Sequence, residues 1–393
     1  MKSSIEHSMQ SADCQRLIRS LSALAANGLL PMYDSENRLF CFRRKRTATG
    51  LIREGVSPRY TVIALMGLHR LEQTGVTSPI EIKPALEVLL ADTRWVNNLG
   101  DLGLLLWLCA LASPDRIDDL NHRLDLKSAL HRFRDGKQGR TVELAWFLAG
   151  LSHQALVHPR KLIETRSIAT ETYRRIRENQ SEHGLFGHAR GIKGLTAVKG
   201  NEVGSFADQA YPIYALTTFS QAYGEERAIE KALDCGLALC EAQGSLGQWW
   251  WSYDSSNGHV VEHFPILSVH QHGIGPMALL ALGEAVSSDF TPWIHRGIQW
   301  IEDNELNLEM HDGSTNVIWR SVERPGHWKY WKILSNLVGR RDAWESRRGL
   351  RPQFECRPSE LGWLLYALAG QTSEFRWRAH LERANGSDTV RPN

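Results

Sequence analysis

Two kinds of helical segment alternate along this chain, and the alternation constrains the fold more than any single motif does. One kind is apolar nearly all round and rich in Ala and Gly: TVIALMGLHRL (61–71), LGLLLWLCALA (102–112), TVELAWFLAGL (141–151), QAYPIYALTTF (209–219), GIGPMALLALGEA (273–285) and ELGWLLYALAG (360–370). The other carries charge on one face: QRLIRSLSALAANG (15–28), IKPALEVLLAD (82–92), RIDDLNHRLDLKSALHRF (116–133), RKLIETRSIATETYRRIREN (160–179), ERAIEKALDCGLALCEAQ (226–243) and TPWIHRGIQWIEDN (291–304). A helix that is apolar on every side must be buried, and an amphipathic one covers it. Six of each predict an all-α fold, an (α/α)6 toroid of six helical hairpins with an inner ring inside an outer ring. Strand alternation is nearly absent. An open superhelix of hairpins is the alternative, but it would wet one face of each pair.

A toroid stays one domain at a length of 393 residues, so 1–385 is expected to be a single domain and 386–393, at the end of ANGSDTVRPN, a disordered tail. The formal net charge is +2, which gives no field to recruit nucleic acid or a membrane surface. No apolar run approaches the roughly 18 residues that span a bilayer, so no integral membrane segment is expected. The start, MKSSIEHSMQSADCQ, has no apolar core of a secretory signal, and the six cysteines form no CxxC. Together these point to a cytoplasmic protein with reduced, mostly buried thiols. No nucleotide-binding or GxSxG pattern occurs, and no cofactor is expected. His270 and His272 form an HQH pair, but on a helix their rings point apart, so no metal is expected either.

Alternation also fixes direction. All inner helices run the same way, so their N-termini gather at one mouth of the ring. The residues there are polar: Ser57, Pro58, Arg59 and Tyr60; Asn97, Asn98 and Asp101; Arg140 and Glu143; Asp208 and Tyr211; His270, Gln271 and His272; Glu355, Arg357 and Glu360. Some are ordinary helix caps. Arginine, histidine and tyrosine are not explained that way. The loop 244–270 reaches the same mouth and contributes Trp249, Trp250, Trp251, Tyr253, Asp254, Glu262 and His263. Its SNG step at 256–258 predicts a hairpin turn, with WWWSYD and HVVEHF as a two-stranded flap. The excursion 305–358 adds His311, Asp312, Trp319, Arg320, Arg324, His327, Trp328 and Trp331, and the run 339–352 is strongly basic. Aromatic faces beside carboxylates and imidazoles suit a sugar ring. They also suit a hydrocarbon cation, and indoles that simply plug the ring remain a third reading.

Gln243-x3-Gly247-x-Trp249 resembles the QW motif of squalene-type terpene cyclases and their prenyltransferase relatives, and Gln180-x3-Gly184-x-Phe186 is a weaker echo. In that superfamily the glutamine caps a helix end and the aromatic packs at the turn, so the resemblance implies the toroid. Their DxDD acid motif is absent. HGLFGHA (183–189) looks like the turn between hairpins of the six-hairpin carbohydrate enzymes: glycosidases, unsaturated uronyl hydrolases and sugar epimerases. The chain also looks like an uncharacterised bacterial family sharing WWWxYD, SVHQ and ECRPxxLGWLLYA, a likeness that brings no activity with it.

The leading expectation is a carbohydrate-active enzyme, a glycoside hydrolase, lyase or sugar epimerase taking an oligosaccharide or uronate at the inner-helix rim. Its acid–base candidates are Asp208, Glu262, His270, His272 and Glu143. Its binding candidates are Trp249, Trp250, Trp251, Tyr253, Asp254, Tyr211, Tyr60, Asp101, Trp319, Arg320, Glu355, Arg357 and Glu360, with Arg320 and Arg357 suited to an anionic group. A terpene cyclase-like enzyme on a polyprenyl substrate and a non-catalytic glycan-binding or assembly protein are the alternatives.

Overall fold

The computed structural model describes residues 2–133, 139–189, 201–323 and 350–371, with backbone alone for 2–11 and Glu262. Six helices rich in buried residues make the inner ring: α2 (Pro58–Glu72), α4 (Leu99–Ala112), α7 (Thr141–Val157), α9 (Phe206–Tyr223), α11 (Ser268–Val286) and α13 (Pro358–Leu368). Each packs on the next, and α13 packs back on α2, so the ring closes. Around it lie α1 (Lys2–Leu29), α3 (Ile82–Ala91), α5 (Ile117–Arg123), α6 (Ala129–Arg132), α8 (Pro159–Arg177), α10 (Glu226–Glu241) and α12 (Thr291–Gln299). Inner helices pair with the outer helix that follows them: α2 with α3, α4 with α5, α7 with α8, α9 with α10, α11 with α12. The sixth pair joins the two ends of the chain, α13 with α1. The (α/α)6 toroid expected from the alternation is the observed fold.

Three local differences have physical causes. The segment 116–133 is not one helix. Asp125 adopts a left-handed conformation (φ 43°) between α5 and a short 3-10 turn at Leu126–Ser128, which breaks it in two. Short strands are also present, against the expectation of almost none. β1 (Arg43–Thr47) and β2 (Gly50–Glu54) form a hairpin that β6 (Glu355–Cys356) joins. Their side chains are mostly half-buried or exposed, so no apolar alternation announces them. The expected flap exists as β4 (Ser252–Asp254) and β5 (His259–Glu262), with β3 (Val203–Ser205) as a third strand on its other edge. The stretches 324–349 and 372–393, and with them Arg324, His327, Trp328, Trp331, most of the basic run and the terminal tail, lie outside the described residues.

Inner helices approach closely where both partners lack a side chain. A Cβ on Gly103 would overlap the Trp146 backbone, one on Gly150 would overlap the Gly103 carbonyl, and Gly67 and Gly362 oppose each other in the same way across α2 and α13. The space left on the axis is filled by rings. Trp107, His153 and Tyr214 stack together, and Tyr366 meets Trp107 edge-on at 5.4 Å. The Tyr214 hydroxyl is 2.9 Å from both His153 Nε2 and the Tyr366 hydroxyl, and Trp107 Nε1 donates to Tyr366 at 3.2 Å. The toroid is therefore plugged below its mouth.

Outer helices are tied to one another by a repeated device. Gln243, after α10, donates through Nε2 to the Trp293 carbonyl in α12 at 2.9 Å, and Gly247 turns the chain with φ 93°. Gln180, after α8, donates to the Lys231 carbonyl in α10 at 2.9 Å, and Gly184 turns with φ 81°. Trp249 and Phe186 then bury completely. A Cβ on Gly247 would overlap the Arg296 carbonyl, whereas one on Gly75, which has φ 84°, would meet nothing within 4 Å. Gly75→Ala should therefore cost only the backbone strain, about 1 kcal/mol. Gly247→Ala should cost clearly more, by the overlap added to the strain. Thermal melts of the two variants check this, and equal losses would mean that the Gly247 turn yields freely.

Candidate active site

The third residue after the N-cap is polar in every inner helix: Tyr60, Asp101, Glu143, Asp208, His270 and Glu360. This position reaches back over the helix end, where unpaired N–H groups and the dipole favour a carboxylate. Asp101 accepts from Asn98 Nδ2 at 2.9 Å and, at 2.5 Å, from Arg59 Nε on the neighbouring helix. Asp208 closes a capping box with Ser205, accepting from its N and Oγ at 2.8 Å each. Glu360 accepts from Arg357 N at 3.1 Å. One turn deeper, Trp146, Tyr211 and Trp363 form an aromatic floor, with ring centroids 5.0 Å and 5.5 Å apart. The Tyr211 hydroxyl lies 3.2 Å from His270 Nε2.

The mouth has two sectors. Beside α13 and α2, Glu355 is buried and ion-paired with Arg43 at 2.5 Å, Arg320 at 3.2 Å and Arg357 at 2.8 Å. Arg320 also pairs with Glu360. Arg357 donates to the Tyr60 hydroxyl at 3.0 Å, and Phe42 stacks on the Tyr60 ring. Burial pushes the Glu360 carboxyl up despite the opposing pull of Arg320 and Arg357.

Beside α7 and α9 the groups are less saturated. Asp208 Oδ2 takes a third contact, from His188 Nδ1 at 3.3 Å, while Oδ1 is buried without a hydrogen-bond partner. The hydrogen bond to Asp208 raises the His188 pKa. Glu143 is partly exposed between this pair and Arg59. His270 Nδ1 is likewise buried and unpartnered, while the Trp146 indole approaches the Tyr211 hydroxyl. A carboxylate oxygen on α9 and an imidazole nitrogen on α11 thus lie at one end of the ring with no protein hydrogen-bond partner. Burial, then Arg320 and Arg357, lower the His270 pKa to about 3.

The structure gathers Tyr60, Asp101, Glu143, Asp208, Tyr211, Trp251, His270, Arg320, Glu355, Arg357 and Glu360 at this mouth and takes others away from it. His272 points outward from α11, fully buried and flat against Trp300 (5.3 Å, 3°), because residues two apart on a helix face different sides. Trp249 packs between Phe206, Gly275 and Gly297 as core. Tyr253 is buried without exposure, and Asp254 caps the hairpin turn through Ser256 and Asn257. Trp250 rests edge-on against His263 at the flap. Trp319 is buried under Arg46. Of the three consecutive indoles only Trp251 turns to the mouth, with its ring 6.3 Å from His270. Gln271 pins the stretch, donating to the Trp249 and Trp250 carbonyls at 2.5 and 2.9 Å. The Glu262 side chain lies outside the described residues.

Sequence reasoning did not single out His188, Trp146, Trp363 or Arg43. The signal for two of them was present: Trp146 and Trp363 stand three residues after Glu143 and Glu360, one turn deeper on the same face.

No family model and no curated protein matches the sequence. Solved structures do share its fold. An unsaturated glucuronyl hydrolase from a Bacillus species, responsible for degradation of glycosaminoglycan, is 13% identical, with 92% of this chain and 98% of that one covered and a TM-score of 0.58. An unsaturated glucuronyl hydrolase from Streptococcus agalactiae is 11% identical, covers 93% of each chain and scores 0.58. An inactive variant of an α-1,6-mannanase from a Salegentibacter species, in complex with α-1,6-mannotetrose, is 12% identical, covers 92% and 99%, and scores 0.56. At these identities the likeness is one of fold: the chain is an (α/α)6 toroid like these glycosidases. No helix among the described residues is long and apolar enough to cross a membrane.

Burial lowers the His272 pKa to about 3. The folded chain therefore resists a proton that the unfolded chain accepts below the ordinary histidine value of about 6.5. The pair of states is balanced above that value, and stability falls as pH drops from there toward 3. Between pH 8 and pH 5 the wild type should lose about 2 kcal/mol more than His272→Phe. Denaturant titrations at both pH values test this, and equal losses would remove His272 from the account.

Proposed function

We propose that this protein is a carbohydrate-active enzyme that binds an oligosaccharide or uronate at the inner-helix mouth and works on it by acid–base catalysis. The observation that carries the reading is the pair of buried, unpartnered polar atoms (Asp208 Oδ1 and His270 Nδ1) at the aromatic-floored end of the ring. Sugar hydroxyls both donate and accept, and a sugar's C–H face packs on indole, so one ligand class answers both features. The glycosidase fold of the structural neighbours agrees with it.

In this reading the acid–base side of the mouth is built around Asp208 and Glu143. Glu262 remains a further carboxylate candidate from the flap. Arg320 and Arg357 form the side that holds an anionic group such as a uronate carboxylate. Trp251 and Tyr60 shape the walls, above the floor that holds Tyr211. A cytoplasmic setting fits six cysteines that are all unpaired. A polyprenyl substrate fits less well, since a carbocation is quenched by the bases that crowd this mouth.

A mass-spectrometric screen of oligosaccharides and unsaturated uronates, with polyprenyl diphosphates in parallel, tests the proposal. A sugar should be converted, and Asp208→Asn and Glu143→Gln should each lower kcat by about 10²- to 10⁴-fold. Conversion of a polyprenyl diphosphate alone, sugar binding with no turnover, or full activity in both variants would each overturn it.

A further inference from the structure

His188 was not among the expected site residues, yet the fold fixes it unusually firmly for a side chain on a turn. Its carbonyl accepts from Thr141 N at 2.9 Å, at the start of α7, and its own N–H donates to the Asn201 carbonyl at 2.9 Å. The preceding Gly187 carbonyl accepts from Thr141 Oγ1 at 2.5 Å, and Gly187 N donates to the Asn179 carbonyl at 2.9 Å. Asn179 Nδ2 in turn donates to Thr141 Oγ1 at 2.9 Å. The backbone at 187–188 is thus clamped between α7 and the end of α8. From this clamp the imidazole reaches Asp208 Oδ2, and its side chain keeps 49% of its surface open while that of Asp208 keeps 1%.

We propose that His188 is the proton carrier of this mouth, with Asp208 as a positioning residue that holds the imidazole in its Nδ1–H tautomer and leaves Nε2 as the exchanging nitrogen. The inference rests on the reading of the mouth as an acid–base site. Asp208 Oδ2 is an acceptor already fixed by Ser205 N and Oγ, so the imidazole must donate to it through Nδ1. The neutral ring then carries its lone pair on Nε2. That nitrogen takes a proton from a ligand hydroxyl or a water, giving an imidazolium paired with the Asp208 carboxylate and an oxyanion on the donor. The imidazolium later returns one proton through Nε2, to an oxygen or carbon of the ligand, and the neutral ring is restored. The charges facing His188 are Asp208 on α9 and, beside α7, Glu143 and Arg140. The two carboxylates favour the protonated ring and Arg140 opposes it, which agrees with its raised pKa. Asp208 Oδ1 stays available to a ligand on the far side of the same carboxylate.

Nitrogen-15 NMR of the histidine rings tests the pair without any substrate. In the wild-type protein His188 should titrate above the ordinary histidine range, and its neutral form should carry the proton on Nδ1. In Asp208→Asn its midpoint should fall. A neutral Nε2–H tautomer, or one midpoint in both proteins, would overturn the proposal. The wild-type tautomer decides the matter alone if Asp208→Asn does not fold. With a sugar found by the screen, His188→Ala should lose at least about tenfold in kcat and regain activity with added imidazole; no recovery would overturn the role of proton carrier. A chain that converts no sugar at all sinks the functional reading, and the His188–Asp208 pair is then judged by its titration and tautomer.

Discussion

Six helix N-termini meet at one mouth of this toroid, and each brings about half a positive charge and unpaired N–H groups. Like dipoles side by side repel, so a parallel inner ring needs compensation where the termini crowd. The chain supplies it at one repeated position. The third residue is a carboxylate in α4, α7, α9 and α13, a hydroxyl in α2 and an imidazole in α11. The same feature that lets the ring close therefore concentrates acids at one end. A cluster of acids at the rim is a by-product of this architecture, and what remains specific to the chain is which of the acids are left incompletely bonded.

On that point the two halves of the mouth differ. Near α13 the carboxylates of Glu355 and Glu360 sit in a mesh with Arg43, Arg320 and Arg357, which binds strands β1 and β6 to the ring. Near α9 a carboxylate oxygen is buried with nothing to bond to. Buried polar groups are costly unless paired, so the first half is built for shape and the second keeps an unmet demand. Beneath both, the column of Trp107, Tyr214 and Tyr366 fills the axis, so whatever binds does so above it.

Much of this was legible in the sequence because the signal was categorical. Helices without a polar face must be inside, and strict alternation dictates both closure and common direction. Asp208, His270 and Glu360 could be placed at one end from that reasoning alone. What could not be read was rotation. A helix that is apolar all round has no wet side, so its pattern carries no phase, and His270 and His272 look equivalent in HQH although one faces the axis and the other faces Trp300. The three tryptophans failed for the same reason: their aim is set by Gln271 and by the Gly247 turn, which are tertiary facts. His188 was hidden because its partner stands twenty residues further on.

The pairing of α13 with both α1 and α2 has a consequence for how such a chain comes into being. As it leaves the ribosome, α2 waits with the Gly67 groove uncovered, and Tyr60 lacks its arginine until residues 357–368 have been made. A partial product that lacks α13 leaves the Gly67 backbone on α2 uncovered and the rim incomplete. The ring and its rim are therefore completed together, when α13 docks between α1 and α2.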